Sequence, residues 1–182
     1  MPEEKRLFVA IAIPELLQEL LVAIQHSCTI EGAKWTKPQN FHITLRFLGN
    51  IQEDRLPAIH AALNTIKHKA FTVIPSPVGT FNEKVLWVGV EKTGTLAKLK
   101  EEVDQTLETL GIVPELRPFQ PHITLARLKT AHKAALQVFL EKNAQQTFPV
   151  FSAAHFILYE SVSHEKGVEY HPLHYYPLSE QN

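Results

Sequence analysis

Two copies of one short motif contain the residues of this sequence that are best suited to chemistry. The tetrapeptide His42-Ile43-Thr44-Leu45 recurs 80 positions later (122 − 42) as His122-Ile123-Thr124-Leu125. Alternate side chains of a β-strand point to opposite faces, so each isoleucine and leucine is predicted to be buried while histidine and threonine share the other face. An internal duplication would bring both polar pairs to one cleft.

Two imidazoles and two hydroxyls in one cleft suit reaction at a phosphodiester. In-line displacement needs one group to remove a proton from the nucleophile and another to protonate the leaving oxygen. Imidazole can do either near neutral pH, because its ordinary pKa is about 6.5. Threonine hydroxyls can donate to phosphoryl oxygens without titrating. The pattern therefore predicts acid–base catalysis that requires neither a metal nor a cofactor.

Arginines and aromatic residues near the motifs are further candidates. Arg46 continues the alternation of His42 and Thr44, so it could face the cleft and contact phosphate. Arg127 has the opposite parity to His122 unless the strand bulges or ends, and Arg117 precedes the second motif. For Arg46 and Arg117 a surface charge is the slightly favoured interpretation. Four aromatic side chains could stack on a nucleobase, although core packing is the commoner role: Trp35, Phe41, Phe119 and Tyr159.

Other chemistries find less support in the sequence. It contains no His-Glu-x-x-His pair, no Gly-x-Ser-x-Gly and no glycine-rich phosphate loop. Its one cysteine, Cys28, excludes an intrachain disulfide and zinc-finger spacing and favours a reducing, cytoplasmic compartment. A metal cluster remains an alternative in the last predicted hairpin, where the role of four histidines is open: His155, His164, His171 and His174.

Composition is that of an ordinary globular protein. The chain has 182 residues, 45% hydrophobic and 20% charged, which argues against disorder, collagen-like repeats and coiled coil. Its 18 basic and 19 acidic residues give a net charge of −1, too balanced to attract long DNA or an anionic membrane. The apolar run 7–13 is too short to cross a membrane and is predicted to be a buried strand.

Hydrophobic periodicity predicts the same order of elements, strand–helix–strand–helix–strand, in each half of the chain. The first half has strands at 7–13, 41–48 and 71–77, with helices at 15–28 and 53–69. The second has strands at 85–90 and 122–128, helices at 96–110 and 135–142 (or 131–142), and a final hairpin of strands 151–160 and 168–176. The likeness of Leu7-Phe8-Val9 to Leu86-Trp87-Val88, 79 positions apart (86 − 7), supports a duplication. We therefore expect a bilobal α+β fold with a pseudo-twofold axis.

The sequence resembles the 2H phosphoesterases, and within them the bacterial and archaeal RNA 2′,3′-cyclic phosphodiesterases, also called 2′-5′ RNA ligases. The likeness covers nearly the whole chain. It is carried by 6–11 with Pro14, 40–45 with 47–49, 86–89, 119–127, 158–161, Gly167 and 170–173.

This resemblance implies that each lobe is an antiparallel β-sheet backed by helices, with the active-site cleft between the lobes. Residues 1–182 would form a single domain, with repeat halves of roughly 1–82 and 83–182. It implies hydrolysis of RNA 2′,3′-cyclic phosphate ends to 2′-phosphomonoesters, with possible reverse 2′-5′ ligation. His42 would be the proton donor and His122 the proton acceptor. Thr44 and Thr124 would hold the phosphoryl oxygens, and Arg127 would contact phosphate or base.

Two alternatives remain open at this point. The chain could be a small cyclic-nucleotide phosphodiesterase of the same superfamily, or a non-catalytic module that binds a phosphate end or a nucleotide. The expected partners are RNA ends or short nucleotides with a 2′,3′-cyclic phosphate; we expect no membrane association and no obligate protein partner.

Overall fold

The computed structural model describes residues 3–129 and 133–180, which form ten strands and four α-helices. The strands are β1 Glu4–Ala12, β2 Ala33–Trp35, β3 His42–Gln52, β4 Phe71–Val73, β5 Pro75–Phe81, β6 Val85–Val90, β7 His122–Leu128, β8 Phe151–Ala153, β9 His155–His164 and β10 Gly167–Pro177. The helices are α1 Glu15–Gln25, α2 Leu56–Leu63, α3 Gly94–Glu108 and α4 Lys133–Asn143.

The predicted order of elements is present, with the unpredicted strand β2 added to it. The start at 131 of the longer helix 131–142 lies outside the described residues. The strand expected over 151–160 divides into β8, which pairs with β4, and β9, which forms the hairpin with β10. Two further boundaries differ for local reasons. The helix expected over 53–69 is only Leu56–Leu63, because a 3₁₀ turn precedes it and the Thr65 hydroxyl closes its end on the Ala62 carbonyl at 2.7 Å. The edge strand expected over 71–77 divides before Pro75 into β4 and β5. The first part pairs with β8 and the second with β6.

One continuous antiparallel sheet spans the molecule. Its strand order is β10-β9-β1-β3-β7-β6-β5, with β2 also pairing with β7, and β4 and β8 form a small separate sheet. The two halves of the large sheet meet through a single pair of residues, Ile43 opposite Ile123. The predicted α+β class with antiparallel sheets is confirmed, and the two motif strands are the ones that join at the centre.

Each half of the sequence contributes elements to both lobes. The first lobe contains β10, β9, β1 and β3. Helices α2 and α3 back it, since His60 of α2 contacts Tyr176 of β10 and Asp104 of α3 binds Arg46 of β3. The second lobe contains β2, β7, β6 and β5, with α1 and α4 behind it. Thus α1 and β5 of the first repeat pack in the second lobe, while α3 and β9 of the second repeat pack in the first.

The helices lie on the sheet through one apolar face each. In α3 the buried side chains follow helical spacing: Leu96, Leu99, Val103 and Leu107. Burial of each such leucine contributes about 1.5–3 kcal/mol relative to exposure. The Thr93 hydroxyl accepts from the Leu96 amide and caps the start of the helix. Within the part of the chain that the structure describes, no helix is long and apolar enough to cross a membrane.

Candidate active site

The two motif strands place their polar side chains on one face of the sheet. His42, Thr44, His122 and Thr124 are half-buried on this face. The intervening side chains are at most 1% exposed and pack beneath the sheet: Ile43, Leu45, Ile123 and Leu125. Because β3 and β7 are adjacent, the four polar groups lie together at the junction of the lobes, a region that we call the cleft.

A β-bulge follows the threonine in each motif strand. The register of β3 with β1 skips Leu45, and the register of β7 with β6 skips Leu125. A bulge inserts one residue, so the side chains after it exchange faces relative to strict alternation. The same irregularity at equivalent positions of both repeats re-aims the two arginines that the sequence singled out.

Arg46 does not face the cleft, nor is it a surface charge. The bulge turns it beneath the sheet, where its side chain is fully buried. Its guanidinium donates to Asp104 Oδ1 at 2.7 Å and to the Val113 carbonyl at 2.6 Å. These bonds hold α3 and the loop after it against β3. The favoured interpretation of Arg46 as a surface charge and the alternative that it contacts phosphate are therefore both wrong, and this residue is structural.

Arg127, by contrast, is exposed on the same face as Thr124, because the bulge reverses its parity. Burial raises the pKa of Tyr170, and the charge of Arg127 partly opposes this rise from across the cleft. The same charge lowers the pKa of both motif histidines. At the equivalent place in β3 stands Phe47, which is 49% exposed. Arg117 lies exposed in the loop before β7.

Each motif histidine is oriented by a backbone carbonyl two residues earlier. His42 Nδ1 lies 2.7 Å from the Asn40 oxygen, and His122 Nδ1 lies 2.8 Å from the Gln120 oxygen. A carbonyl only accepts, so Nδ1 carries the hydrogen and Nε2 is left for chemistry. His42 Nε2 lies 2.9 Å from the Thr44 hydroxyl. Both rings therefore present the same nitrogen to the cleft.

Burial lowers the pKa of both imidazole rings. Desolvation lowers the pKa of His42 to about 4, against the carbonyl bond that favours the charged form, and the charges of His122 and Arg127 lower it further. The pKa of His122 is lowered mainly by burial and then by Arg127. In the free protein both imidazoles are consequently neutral at pH 7.

Aromatic rings surround each histidine. Four of these aromatic residues were not predicted as site residues from the sequence. His42 lies 5.0 Å from Phe8 and 5.1 Å from Tyr170, which meets it edge-on at 89°. Phe81 approaches His122 in the same way, at 4.9 Å and 88°, and the Trp87 ring is 6.5 Å away. Phe8 and Trp87 occupy the duplication offset in strands beside the motifs, a signal that could have identified them.

The aromatic surroundings differ between the lobes at one equivalent position. Phe8 pairs with Tyr159 and stacks on its ring at 5.2 Å, whereas Trp87 pairs with Gly79. A Cβ at Gly79 would overlap the indole, so only glycine leaves room for the tryptophan. At this pair of positions the second lobe therefore has one large ring, that of Trp87, whereas the first lobe has two, those of Phe8 and Tyr159.

The other aromatic candidates pack elsewhere. Phe41 is buried in the core, and Trp35 packs at 6.0 Å against Phe139 of α4. Phe119 lies beneath the ammonium groups of two lysines, Lys92 and Lys100. Tyr159 alone of the four reaches the aromatic group beside His42, and burial raises its pKa to about 12.

Comparison with known proteins assigns the family. The model of the LigT-like phosphoesterases matches the chain twice, over residues 8–87 and 88–170. The RNA 2′,3′-cyclic phosphodiesterase of Methanocaldococcus jannaschii is 33% identical over 173 residues, which cover 91% of this chain and 96% of that protein. The protein of the same name from Archaeoglobus fulgidus is 30% identical over 173 residues, 92% and 97% of the two chains. The structure of E. coli LigT complexed with 3′-AMP superposes with a TM-score of 0.81 at 25% identity, covering 97% of this chain and 99% of that one. This chain therefore belongs to the LigT-like phosphoesterase family of 2H phosphoesterases.

Proposed function

We propose that this protein hydrolyses the 2′,3′-cyclic phosphate at RNA ends to a 2′-phosphomonoester, using two histidines and no metal. The observation that carries the proposal is the pair of imidazoles in one cleft, each with Nδ1 on a carbonyl, so that Nε2 is the nitrogen left for proton transfer. The names of the archaeal relatives support the substrate class. Because each repeat contributes strands to both lobes, residues 1–182 act as one domain, with repeat halves of roughly 1–82 and 83–182.

In this mechanism the two histidines have opposite tasks. His122 Nε2 takes a proton from water as the water oxygen bonds to phosphorus. His42 Nε2 gives its proton to the 3′ oxygen as the bond between phosphorus and that oxygen breaks. The product holds its phosphate on the 2′ oxygen. Solvent then returns the proton to His42 and removes the proton from His122.

The remaining polar groups hold the anion. Thr44 and Thr124 donate hydroxyl hydrogens to the phosphoryl oxygens, and Arg127 supplies positive charge beside them. A bound phosphodiester favours the protonated form of an imidazole. Substrate binding therefore raises the histidine pKa values that the empty cleft lowers, and supplies the proton donor with its proton.

Ligation at the same site would use a 5′ hydroxyl in place of water: its oxygen bonds to phosphorus, the bond to the 3′ oxygen breaks, and a 2′-5′ linkage forms. In the reverse of this reaction the 3′ hydroxyl attacks that linkage and the 5′ oxygen leaves. Microscopic reversibility then assigns the same two histidines to both directions, and the high concentration of water makes hydrolysis the dominant outcome in solution.

A small cyclic nucleotide is the second candidate substrate. It is favoured by one observation, that E. coli LigT has been solved with a mononucleotide, 3′-AMP. The rate on an RNA oligomer compared with the rate on nucleoside 2′,3′-cyclic phosphate separates the two. Binding of either without product would instead indicate a non-catalytic module.

The test uses a short RNA ending in a 2′,3′-cyclic phosphate, incubated in EDTA with wild type, His42→Ala and His122→Ala. His155→Ala is the matched control, because this histidine lies on β9 against Tyr175. We expect a product that resists a 3′-specific phosphatase, read by mass spectrometry, from wild type and control only. Loss of wild-type turnover in EDTA would refute metal independence, and full activity in either cleft variant would refute the two-histidine mechanism.

A further inference from the structure

Three ligating side chains meet on the hairpin of β9 and β10, outside the catalytic cleft. Glu169 Oε2 lies 3.7 Å from His164 Nε2 and 3.5 Å from His171 Nε2. The three residues can bring one ligating atom each within 4.8 Å of the others. All three are exposed, so an ion could reach them directly from solvent.

The register of the hairpin explains why these side chains share a face. His164 of β9 stands opposite Gly167 of β10, and positions 167, 169 and 171 alternate onto one side of the strand. The backbone of a two-stranded ribbon therefore holds the three ligands together. The spacing is a property of the strand pairing and does not depend on a mobile loop.

We propose that His164, Glu169 and His171 form a binding site for one divalent transition-metal ion, with Zn²⁺ as the representative cation. Two imidazoles and a carboxylate are ligands that Zn²⁺ accepts, with a water in the fourth position. Bonds of about 2.0–2.2 Å at tetrahedral angles separate ligand atoms by about 3.4 Å. The two Glu169 distances of 3.5 and 3.7 Å are close to this value.

The ion would stabilise the part of the β9–β10 hairpin that borders the cleft but lies beyond the pairing with β1. Strand β1 pairs with β9 only from Ile157 to Glu160, so the hairpin projects beyond the sheet toward its turn. Tyr170 lies between two of the ligands in sequence, with its ring on the opposite face against His42 at 5.1 Å. The Asn40 side chain donates to the Val168 carbonyl at 2.8 Å, on the same strand. A metal on the outer face thus fastens the segment whose inner face borders the catalytic histidine.

Zinc binding to the full chain tests the site, whatever the chain hydrolyses. Protein stripped with EDTA and dialysed is titrated with ZnSO₄ in a calorimeter, alongside His164→Ala, Glu169→Gln and His171→Ala. His155→Ala, a histidine at the other end of the same hairpin, is the matched control. We expect one ion per chain with a Kd of about 10 µM or tighter. Each ligand variant should bind at least about tenfold more weakly, since even the outer partners of a metal ligand cost that much; the control should be unchanged.

Hydrogen exchange gives a second measurement, because a hairpin that is folded but binds no zinc would show no zinc-dependent change in amide exchange. Zinc should slow amide exchange in a peptide covering 161–172 of the wild type and leave the same peptide of His171→Ala unaffected. Binding weaker than about 10 µM overturns the proposal. So does zinc that remains bound with wild-type affinity in His171→Ala and is lost in His42→Ala, because the ion would then belong to the cleft.

Discussion

The pH dependence of kcat/KM is the prediction that depends most directly on the structure of the cleft. The proposed reaction needs one protonated and one neutral imidazole. In the free protein the pKa of His42 is lowered to about 4, and that of His122 is also below 6.5. The productive form with one proton is then most abundant between the two pKa values. The optimum of kcat/KM therefore lies on the acid side of pH 6.5.

The magnitude follows from the titration itself. With a pKa of about 4, only about one His42 ring in a thousand is protonated at pH 7, whereas about one in ten is protonated at pH 5. Above both pKa values kcat/KM should fall about tenfold for each pH unit. Going from pH 6.5 to 5.5 it should rise, whereas two unperturbed imidazoles with pKa values of about 6.5 would make it fall.

The assay measures initial rates on an RNA with a 2′,3′-cyclic phosphate end, from pH 4.5 to 8.5 at constant ionic strength. The kcat optimum should lie at higher pH than the kcat/KM optimum, because the bound phosphodiester favours protonation of the rings. Arg127→Met removes the charge that lowers the pKa of both rings, so its kcat/KM optimum should move toward higher pH even though the rate is reduced. A flat profile, or a wild-type kcat/KM optimum at or above pH 6.5, would refute the reasoning.

Three further predictions concern the roles of single residues. A substrate with sulfur in place of the 3′ oxygen has a leaving group that needs no proton, so it should restore turnover to His42→Ala but not to His122→Ala; restoration of the latter alone would exchange their roles. Arg46→Met should lower the free energy of unfolding in urea by about 2 kcal/mol, because the Ile112 and Val113 carbonyls lose their buried donor while Asp104 keeps its bond to Lys100. Arg117→Met, at an exposed position, should change it by less than about 0.5 kcal/mol; equal effects would contradict the structural role of Arg46. Finally, the folded pKa of His42 lies below its unfolded value, so its stabilising contribution is complete above pH 6.5 and is lost as pH falls toward 4. Between pH 7.5 and 4.5 the free energy of unfolding, measured in urea, should fall by about 2–3 kcal/mol more in the wild type than in His42→Gln. Equal falls in the two proteins would argue against a desolvated ring.

The faces of the motif strands could be predicted from the sequence, because alternation is a local property of an extended chain. His42 and Thr44 lie on one face and Ile43 on the other, as expected. The prediction for Arg46 was wrong because a bulge has no signature in this sequence, and a single inserted residue reverses every later side chain. The parity of Arg127 was left open for the same reason.

The exchange of elements between lobes could not be predicted from either repeat. Periodicity predicts that α1 is amphipathic, but not which sheet its apolar face covers. The contact that decides this is the Gln25 side chain donating to the Leu125 carbonyl at 3.0 Å, between residues 100 positions apart. Aromatic neighbours such as Tyr170 were missed likewise, because they reach the motif through strands distant in sequence.

Duplication alone provides two like histidines, whereas the proposed reaction needs them to act differently. The motifs cannot supply the difference, since both rings bind a carbonyl through Nδ1 at nearly the same distance. The residues around the two rings supply the difference. Equivalent positions after the bulges hold neutral Phe47 in one strand and charged Arg127 in the other, which places the charge proposed to bind phosphate to one side of the pseudo-twofold axis. A phosphodiester held off that axis presents its attacking water to one ring and its leaving oxygen to the other, so the roles are set by the orientation of the substrate. On this argument, an Arg127→Phe and Phe47→Arg double variant should bind the substrate in the opposite sense, and the 3′-thio substrate should then restore turnover when combined with His122→Ala rather than His42→Ala.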